Sequence, residues 1–91
     1  MKTRVHVLFS GRVQGVFFRS ETKNKADSYG VKGWVRNLPD LRVEAVFEGE
    51  EGNVKALVEF CQRGSSGARV TNVNIAWENY TGKFEGFTIK D

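Results

Sequence analysis

The sequence predicts an α+β domain in which two helices cover one face of an antiparallel sheet. Short segments with an apolar residue at every second position are interspersed with two longer segments in which apolar residues recur every three or four positions. The 91 residues are 40% hydrophobic and include seven Phe, two Trp and two Tyr. That is enough apolar surface to offset the chain entropy lost when one domain spanning residues 1–91 folds. The composition therefore predicts a folded domain and excludes intrinsic disorder as the main interpretation.

The first strand is joined to the first helix by a loop that contains two glycines. Val5, Val7 and Phe9 occupy alternate positions, which is the period of a strand with one apolar face. Gly11 and Gly15 follow and allow backbone geometries closed to other residues. The helical stripe after the loop consists of Phe18, Thr22, Ala26 and Tyr29, with Gly30 as the stop signal.

The rest of the chain predicts a hairpin, a second helix and two more strands. In order, these are strands at 31–38 and 43–48 joined by a turn at 38–41, a helix with apolar positions 54, 57, 58 and 61, a break at 64–67, and strands at 72–77 and 87–90. The element order is therefore β-α-β-β-α-β-β. Both helices bury their stripes if they cover the same side of the sheet, which is the split β-α-β, ferredoxin-like arrangement.

Charge is distributed unevenly along the chain. Residues 1–42 carry nine basic and three acidic side chains, a balance of +6, whereas the remainder carries five and eight, a balance of −3. A positive first half favours an anionic partner, either a nucleic acid or a small phosphate-bearing molecule. A single cysteine excludes an internal disulfide and a Cys-based zinc site, and a single histidine argues against a structural metal.

The loop at residues 11–19 is the sharpest local feature of the sequence. It leads from a strand into a helix without any Ser, Thr, Asp or Asn to cap the helix, so its N–H groups are available to an anion. Arg19, in the first helical turn, adds a planar fork of donors suited to phosphate oxygens. The same glycines would also suit a simple tight connection beside a solvated Arg19, and the residues alone leave both interpretations open.

Two motifs together resemble the signature of the acylphosphatase family. They are Gly11-Arg12-Val13-Gln14-Gly15-Val16-Phe17-Phe18-Arg19 and Gly33-Trp34-Val35-Arg36-Asn37. The resemblance extends over essentially the whole chain, including its length and element order. It implies an enzyme that hydrolyses the carboxyl-phosphate anhydride of acyl phosphates.

The resemblance also implies roles for individual residues. The backbone of Gln14, Gly15, Val16, Phe17 and Phe18 and the guanidinium of Arg19 would hold the phosphoryl group, and Asn37 would position the attacking water. An amide cannot abstract a proton, so the role of Asn37 would be orientation by hydrogen bonding. The alternative for Asn37 is a strand-end residue that satisfies the hairpin turn.

Two positions depart from the family pattern. Leu41 follows Asp40 where the family usually has glycine, and Ser65-Ser66-Gly67 stands where proline is often nearby. The first departure bears on the hairpin turn, because an Asp-Gly turn uses a positive φ that leucine resists. Turn geometry in turn sets the position of Asn37. The serines bear only on the rigidity of their own loop.

Two other function classes remain as alternatives. A small nucleic-acid-binding module would use the basic half of the sheet, although no strand interleaves aromatic and basic residues in the manner of an RNA-binding motif. The other alternative is a regulatory or carbamoyl-handling domain that kept the fold and lost turnover, and the presence of Arg19 and Asn37 argues against it. We expect a cytoplasmic monomer that acts on a small acyl phosphate with no cofactor or metal and binds neither nucleic acid nor membrane.

Overall fold

The computed structural model describes residues 1–64 and 67–90. Its elements are β1 (Lys2–Arg12), α1 (Phe18–Tyr29), β2 (Lys32–Asn37), β3 (Val43–Glu50), α2 (Glu51–Arg63), β4 (Arg69–Glu78) and β5 (Phe87–Lys90). Every predicted element is present in the predicted order. Ser65 and Ser66, where the sequence departs from the family pattern, lie outside the described residues.

The five strands form one sheet in the order β4-β1-β3-β2-β5. The pairs β1·β3, β1·β4 and β2·β3 are antiparallel, as predicted. The pair β2·β5 is parallel, which corrects the expectation of a purely antiparallel sheet. The reason is the chain direction: β4 runs opposite to β1 and the chain reverses again before β5, so β5 runs in the same direction as β2.

The core lies between the sheet and the two helices, which is the predicted ferredoxin-like arrangement. The strands contribute Val5, Val7, Phe9, Val35, Val43, Ala45, Phe47 and Phe87, and the helices contribute Phe18, Ala26, Val54, Leu57, Val58 and Cys61. Burial of these side chains removes a continuous apolar surface from water. Helix α1 packs against β2 and β5, whereas α2 packs against β1, β3 and β4.

The two helices end as the sequence predicts, but the start of α2 differs. Gly30 adopts a left-handed conformation (φ 69°) and its N–H donates back to carbonyls of α1. Gly64 ends α2 with φ 80° but in a different conformation, and its N–H donates to the carbonyl of Cys61. Strand β3, predicted to end at residue 48, continues through Glu50, and α2 begins directly at Glu51. Among residues 1–64 and 67–90, neither helix is long and apolar enough to span a membrane.

The hairpin between β2 and β3 uses the conformation that leucine resists. Leu41 has φ 75° and is mostly exposed. The turn is closed by the N–H of Leu38, which donates to the carbonyl of Arg42 at 2.8 Å, and by the N–H of Leu41, which donates to the carbonyl of Leu38 at 3.2 Å. The turn therefore keeps the left-handed residue that glycine would supply, at a cost in backbone strain.

Candidate active site

The end of β1, just before the loop, lies against the start of β4 at one glycine. Gly11 has φ 118°, and a Cβ placed there would be 2.2 Å from the carbonyl oxygen of Arg69. Glycine is the residue type that this close backbone approach permits. Farther along the loop, the side chain of Val13 is buried and Gly15 adopts φ 73°. The loop is thus fixed at its base before it reaches α1.

Helix α1 begins after a strained residue and has no side-chain cap from the part of the chain that the structure describes. Phe17, at the N-cap position, has φ 63° and ψ 16°, and no described side chain bonds to the first-turn amides there. The next residue, Phe18, is buried and its ring meets Phe9 edge-to-face with centroids 5.2 Å apart. That contact fixes the helix start on β1, and the uncapped N–H groups and the positive end of the helix dipole are available to an anion.

Arg19 lines an open pocket at this helix end. The pocket has a volume of about 390 Å³ and is lined by Val13, Gly15, Phe17, Phe18, Arg19, Ser20 and Ile89. Within the described part of the chain, the Arg19 guanidinium has no hydrogen-bond or ion-pair partner, while Arg36 and Arg42 are both paired with carboxylates. An arginine with unused donors beside an uncapped helix end is an arrangement suited to a phosphate.

Asn37 lies at the end of β2 nearest this pocket, although it does not line the pocket. Side chains alternate along a strand, so Asn37 shares the helix-facing side with the buried Val35. Strands β1 and β2 run in the same direction, because each is antiparallel to β3. The end of β2 and the loop after β1 therefore lie at the same end of the sheet.

The side-chain oxygen of Asn37 is not used by the hairpin turn. Asn37 Oδ1 is buried and accepts no hydrogen bond from any described residue. The turn instead uses Asp40, whose carboxylate accepts from the N–H of Arg42 at 3.2 Å and from its side chain at 2.8 Å. The side-chain hydrogen bond from Arg42 also lowers the pKa of Asp40. The interpretation of Asn37 as a turn-satisfying residue is therefore not supported.

Two of the predicted loop residues lie outside the pocket lining. Val16 packs against the core, and its side chain lies 3.8 Å from where a Cβ of Gly67 would be. Gln14 directs its side-chain amide to the β2–β3 hairpin. The sequence indicated only the backbone of Gln14, and it gave no sign that Ser20 and Ile89 would line the pocket, because the position of β5 beside β2 depends on strand order.

The remaining polar candidates are engaged elsewhere. His6 Nε2 lies 2.6 Å from Glu44 Oε2 on the sheet face opposite the helices, and Arg36 donates to the other oxygen of Glu44. Burial tends to raise the pKa of Glu44, but the hydrogen bonds from His6 and Arg36 lower it overall. Across residues 1–64 and 67–90, no three His, Cys, Asp or Glu side chains group in a way that would hold a metal ion.

Fold and site together define a class: small α+β domains whose split β-α-β sheet carries a basic, anion-compatible pocket at the end of β1. A profile of the acylphosphatase family matches residues 5–89. An acylphosphatase from Pelotomaculum thermopropionicum is 51% identical over 88 residues, which cover 97% of this chain and 96% of the relative. One from Roseiflexus sp. is 56% identical over 86 residues, covering 94% and 92%.

A comparison with solved structures points to the same family as these relatives. The crystal structure of acylphosphatase from Bacillus subtilis matches with a TM-score of 0.94 at 33% identity, covering 100% of both chains. The chain belongs to the acylphosphatase family. It is an enzyme, a hydrolase of acyl phosphates, as its resemblance in sequence predicts.

Proposed function

We propose that the Arg19 guanidinium and the backbone N–H groups of residues 14–18 hold the phosphoryl group of the acyl phosphate. The observation that carries this proposal is the pocket in which Arg19, without a partner among the described residues, lies beside the uncapped start of α1. Charge on the phosphoryl oxygens grows or redistributes in the transition state, and donors fixed in advance stabilise it without reorganisation. The contact between Phe18 and Phe9 supports that fixation.

Asn37 orients the attacking water in this proposal. Its buried Oδ1 has an unused lone pair, which can accept a hydrogen bond from water. The water oxygen bonds to phosphorus while the bond between phosphorus and the acyl oxygen breaks, so the carboxylate leaves with the bonding electrons. The water's protons pass to the phosphate product or to solvent. Since a carboxylate is a good leaving group, orientation and charge stabilisation suffice without a strong base.

The phosphate role is tested by hydrolysis of a simple aryl acyl phosphate with a metal chelator present. Arg19→Ala should lower kcat/KM by about 100-fold to 1,000-fold, because one transition-state donor is lost. Arg19→Lys should recover only part of that loss, since an ammonium lacks the planar fork. Arg63→Ala, at an exposed ion pair on α2, is the matched control and should retain wild-type activity. Near-normal turnover by Arg19→Ala would refute the assignment.

The water role is tested by separating turnover from anion affinity. Asn37→Ala should lower kcat while the inhibition constant of inorganic phosphate stays near that of the wild type, because the amide acts on water rather than on the anion. Asn72→Ala on the edge strand β4 is the control. An effect confined to KM would contradict this role.

A binding function and an oligomeric state are tested with the same samples. If the basic half of the chain bound nucleic acid, the protein would be retained on a nucleic-acid column at low salt, and retention would weaken steeply as salt rises.

We propose a monomer, because the loop, α1 and β5 complete the pocket within one chain. Light scattering during size exclusion should then report the 10.3 kDa of a single chain, and a dimer mass would contradict it.

A further inference from the structure

The side chain of Gln14 connects the loop after β1 to the hairpin that carries Asn37. Its Nε2 donates to the carbonyl oxygen of Leu38 at 2.9 Å and to that of Arg42 at 2.9 Å. A primary amide has two N–H donors, so both are used on this one hairpin. We call these two hydrogen bonds the Gln14 bridge.

The two acceptors are the residues that close the turn. Leu38 and Arg42 already bond to each other through the N–H of Leu38 and the carbonyl of Arg42. The Gln14 bridge therefore contacts both sides of the turn, and a change in turn conformation would break at least one of its bonds. Leu38 also directly follows Asn37, so the bridge holds the peptide unit next to the Asn37 backbone.

No strand pairing brings the two parts of the site together. Strand β3 lies between β1 and β2, so the loop after β1 and the end of β2 are not joined by ladder hydrogen bonds. The turn itself contains Leu41 in the left-handed region, a conformation that leucine populates at a cost. Asn37 Oδ1 adds no hydrogen bond within the described residues. The Gln14 bridge is thus a direct polar link between the phosphate loop and the hairpin.

We propose that Gln14 is a positioning residue, whose side-chain amide fixes the hairpin so that the water on Asn37 lies in line with the phosphoryl group held by the loop. This inference rests on the proposed function. It assigns the Gln14 side chain a task separate from the backbone contact proposed for the same residue. A displacement of about 1 Å at a reacting group can cost roughly 100-fold in rate, so a link of this kind affects turnover.

The test compares Gln14→Met with the wild type in the acyl phosphate assay. Methionine has a similar length but no donors, so kcat should fall by about 10-fold to 100-fold. The inhibition constant of inorganic phosphate should change by less than about two-fold, because the loop backbone and Arg19 are untouched. Lys23→Met is the matched control. It removes another side-chain bond to a distant carbonyl, that of Phe87, without contact with the hairpin, and should leave kcat unchanged.

A double-variant cycle separates positioning from a general structural effect. If Gln14 acts through Asn37, adding Gln14→Met to Asn37→Ala should change kcat by less than about two-fold. Independent, multiplied losses would overturn the proposal, as would a parallel loss of phosphate affinity in Gln14→Met. The variant Gln14→Lys tests whether the loss of kcat in Gln14→Met comes from a folding defect rather than from the missing hydrogen bonds. An ammonium can donate to both carbonyls, so kcat should stay well above that of Gln14→Met, and equal losses in both variants would also overturn the proposal.

The outcomes distinguish this inference from the proposed function beneath it. Wild-type kcat in Asn37→Ala alone would refute the water-positioning role itself. A loss in Asn37→Ala together with wild-type kcat in Gln14→Met would refute only the positioning role of Gln14.

Discussion

Gln14 and Leu38 are 24 residues apart in sequence, yet the side-chain amide of one donates to the backbone carbonyl of the other at 2.9 Å. This hydrogen bond crosses from the loop after β1 to the end of β2, past the intervening strand β3. It joins the two sequence motifs of the family, since Gln14 belongs to the first and Leu38 directly follows Asn37 of the second. The hairpin turn and the loop after β1 are therefore held to each other by a side-chain hydrogen bond.

Leu41→Gly should stabilise the protein by about 0.5 kcal/mol to 1 kcal/mol. Leucine in the left-handed region costs roughly 1–2 kcal/mol. Glycine removes that cost, but its greater conformational freedom in the unfolded chain cancels part of the stabilisation. The side chain is mostly exposed, so little burial is lost. Urea unfolding measures the difference. Leu41→Ala is the control, because it removes the side chain without relieving φ. If alanine stabilised as much as glycine, backbone strain would not be the cause.

Gly33→Ala should destabilise the protein by about 3 kcal/mol and lower activity. A Cβ at this position would lie 1.9 Å from the carbonyl oxygen of Val46 on β3. Strand β2 must move to relieve that overlap, and Asn37 is on the same strand. Thermal unfolding and the hydrolysis assay measure the two effects. Gly52→Ala, where no described atom lies within 4 Å of the added methyl group, should instead stabilise α2 by about 0.5 kcal/mol.

The sequence predicts the arrangement of elements better than it predicts their extent. Helix α1 follows from one stripe and one terminal glycine, because a helix buries a single face. Strand β4 is longer than predicted, starting at Arg69 rather than at Asn72. It lies at the edge of the sheet with most of its residues exposed, so its first residues carry no apolar alternation that periodicity could detect.

The candidate site is predictable in part for a similar reason. The placement of the Arg19 loop and Asn37 at the same end of the sheet follows from strand direction alone. The Gln14 bridge and the contribution of Ile89 do not, because each depends on which strands are neighbours and on side-chain directions. A polar residue between two glycines is equally compatible with solvent exposure and with a long-range hydrogen bond.

The thiol of Cys61 should be unreactive in the folded protein. Burial raises the pKa of Cys61 to about 12, and a hydrogen bond with Thr22 offsets only part of that effect. Because this pKa lies well above the usual value of 9.0, the fraction of Cys61 present as thiolate at pH 8 is reduced by about 1,000-fold. Reaction with a disulfide reagent should be slow until denaturant is added. A Cys61→Ala/Arg63→Cys variant, with its thiol at an exposed position of α2, should react at once. Rapid reaction of the folded wild type would contradict this prediction.

Glu48→Gln should destabilise the protein by about 3 kcal/mol. Glu48 is only 2% exposed, and its carboxylate accepts hydrogen bonds from the N–H and hydroxyl of Thr81, the N–H of Gly82 and the guanidinium of Arg4. An amide would direct N–H groups toward some of these donors and leave them unpaired. Urea unfolding at neutral pH measures the loss. Glu50→Gln, at an exposed pair with the N-terminus, is the control and should cost about 0.5 kcal/mol or less.

The Glu48 carboxylate should make the free energy of unfolding depend on pH. Burial by itself would raise the pKa of Glu48, but the hydrogen bonds from Thr81, Arg4 and Gly82 outweigh it and lower the pKa. A lowered folded pKa gives stability that is fully present above the unfolded value near 4.5 and is lost as pH falls through the folded value. The difference in unfolding free energy between wild type and Glu48→Gln should therefore shrink below about pH 4.5. Other carboxylates titrate in both proteins and cancel in that difference. A difference that stays constant from neutral pH down to pH 2 would show that folding leaves the pKa of Glu48 unshifted, and it would contradict this prediction.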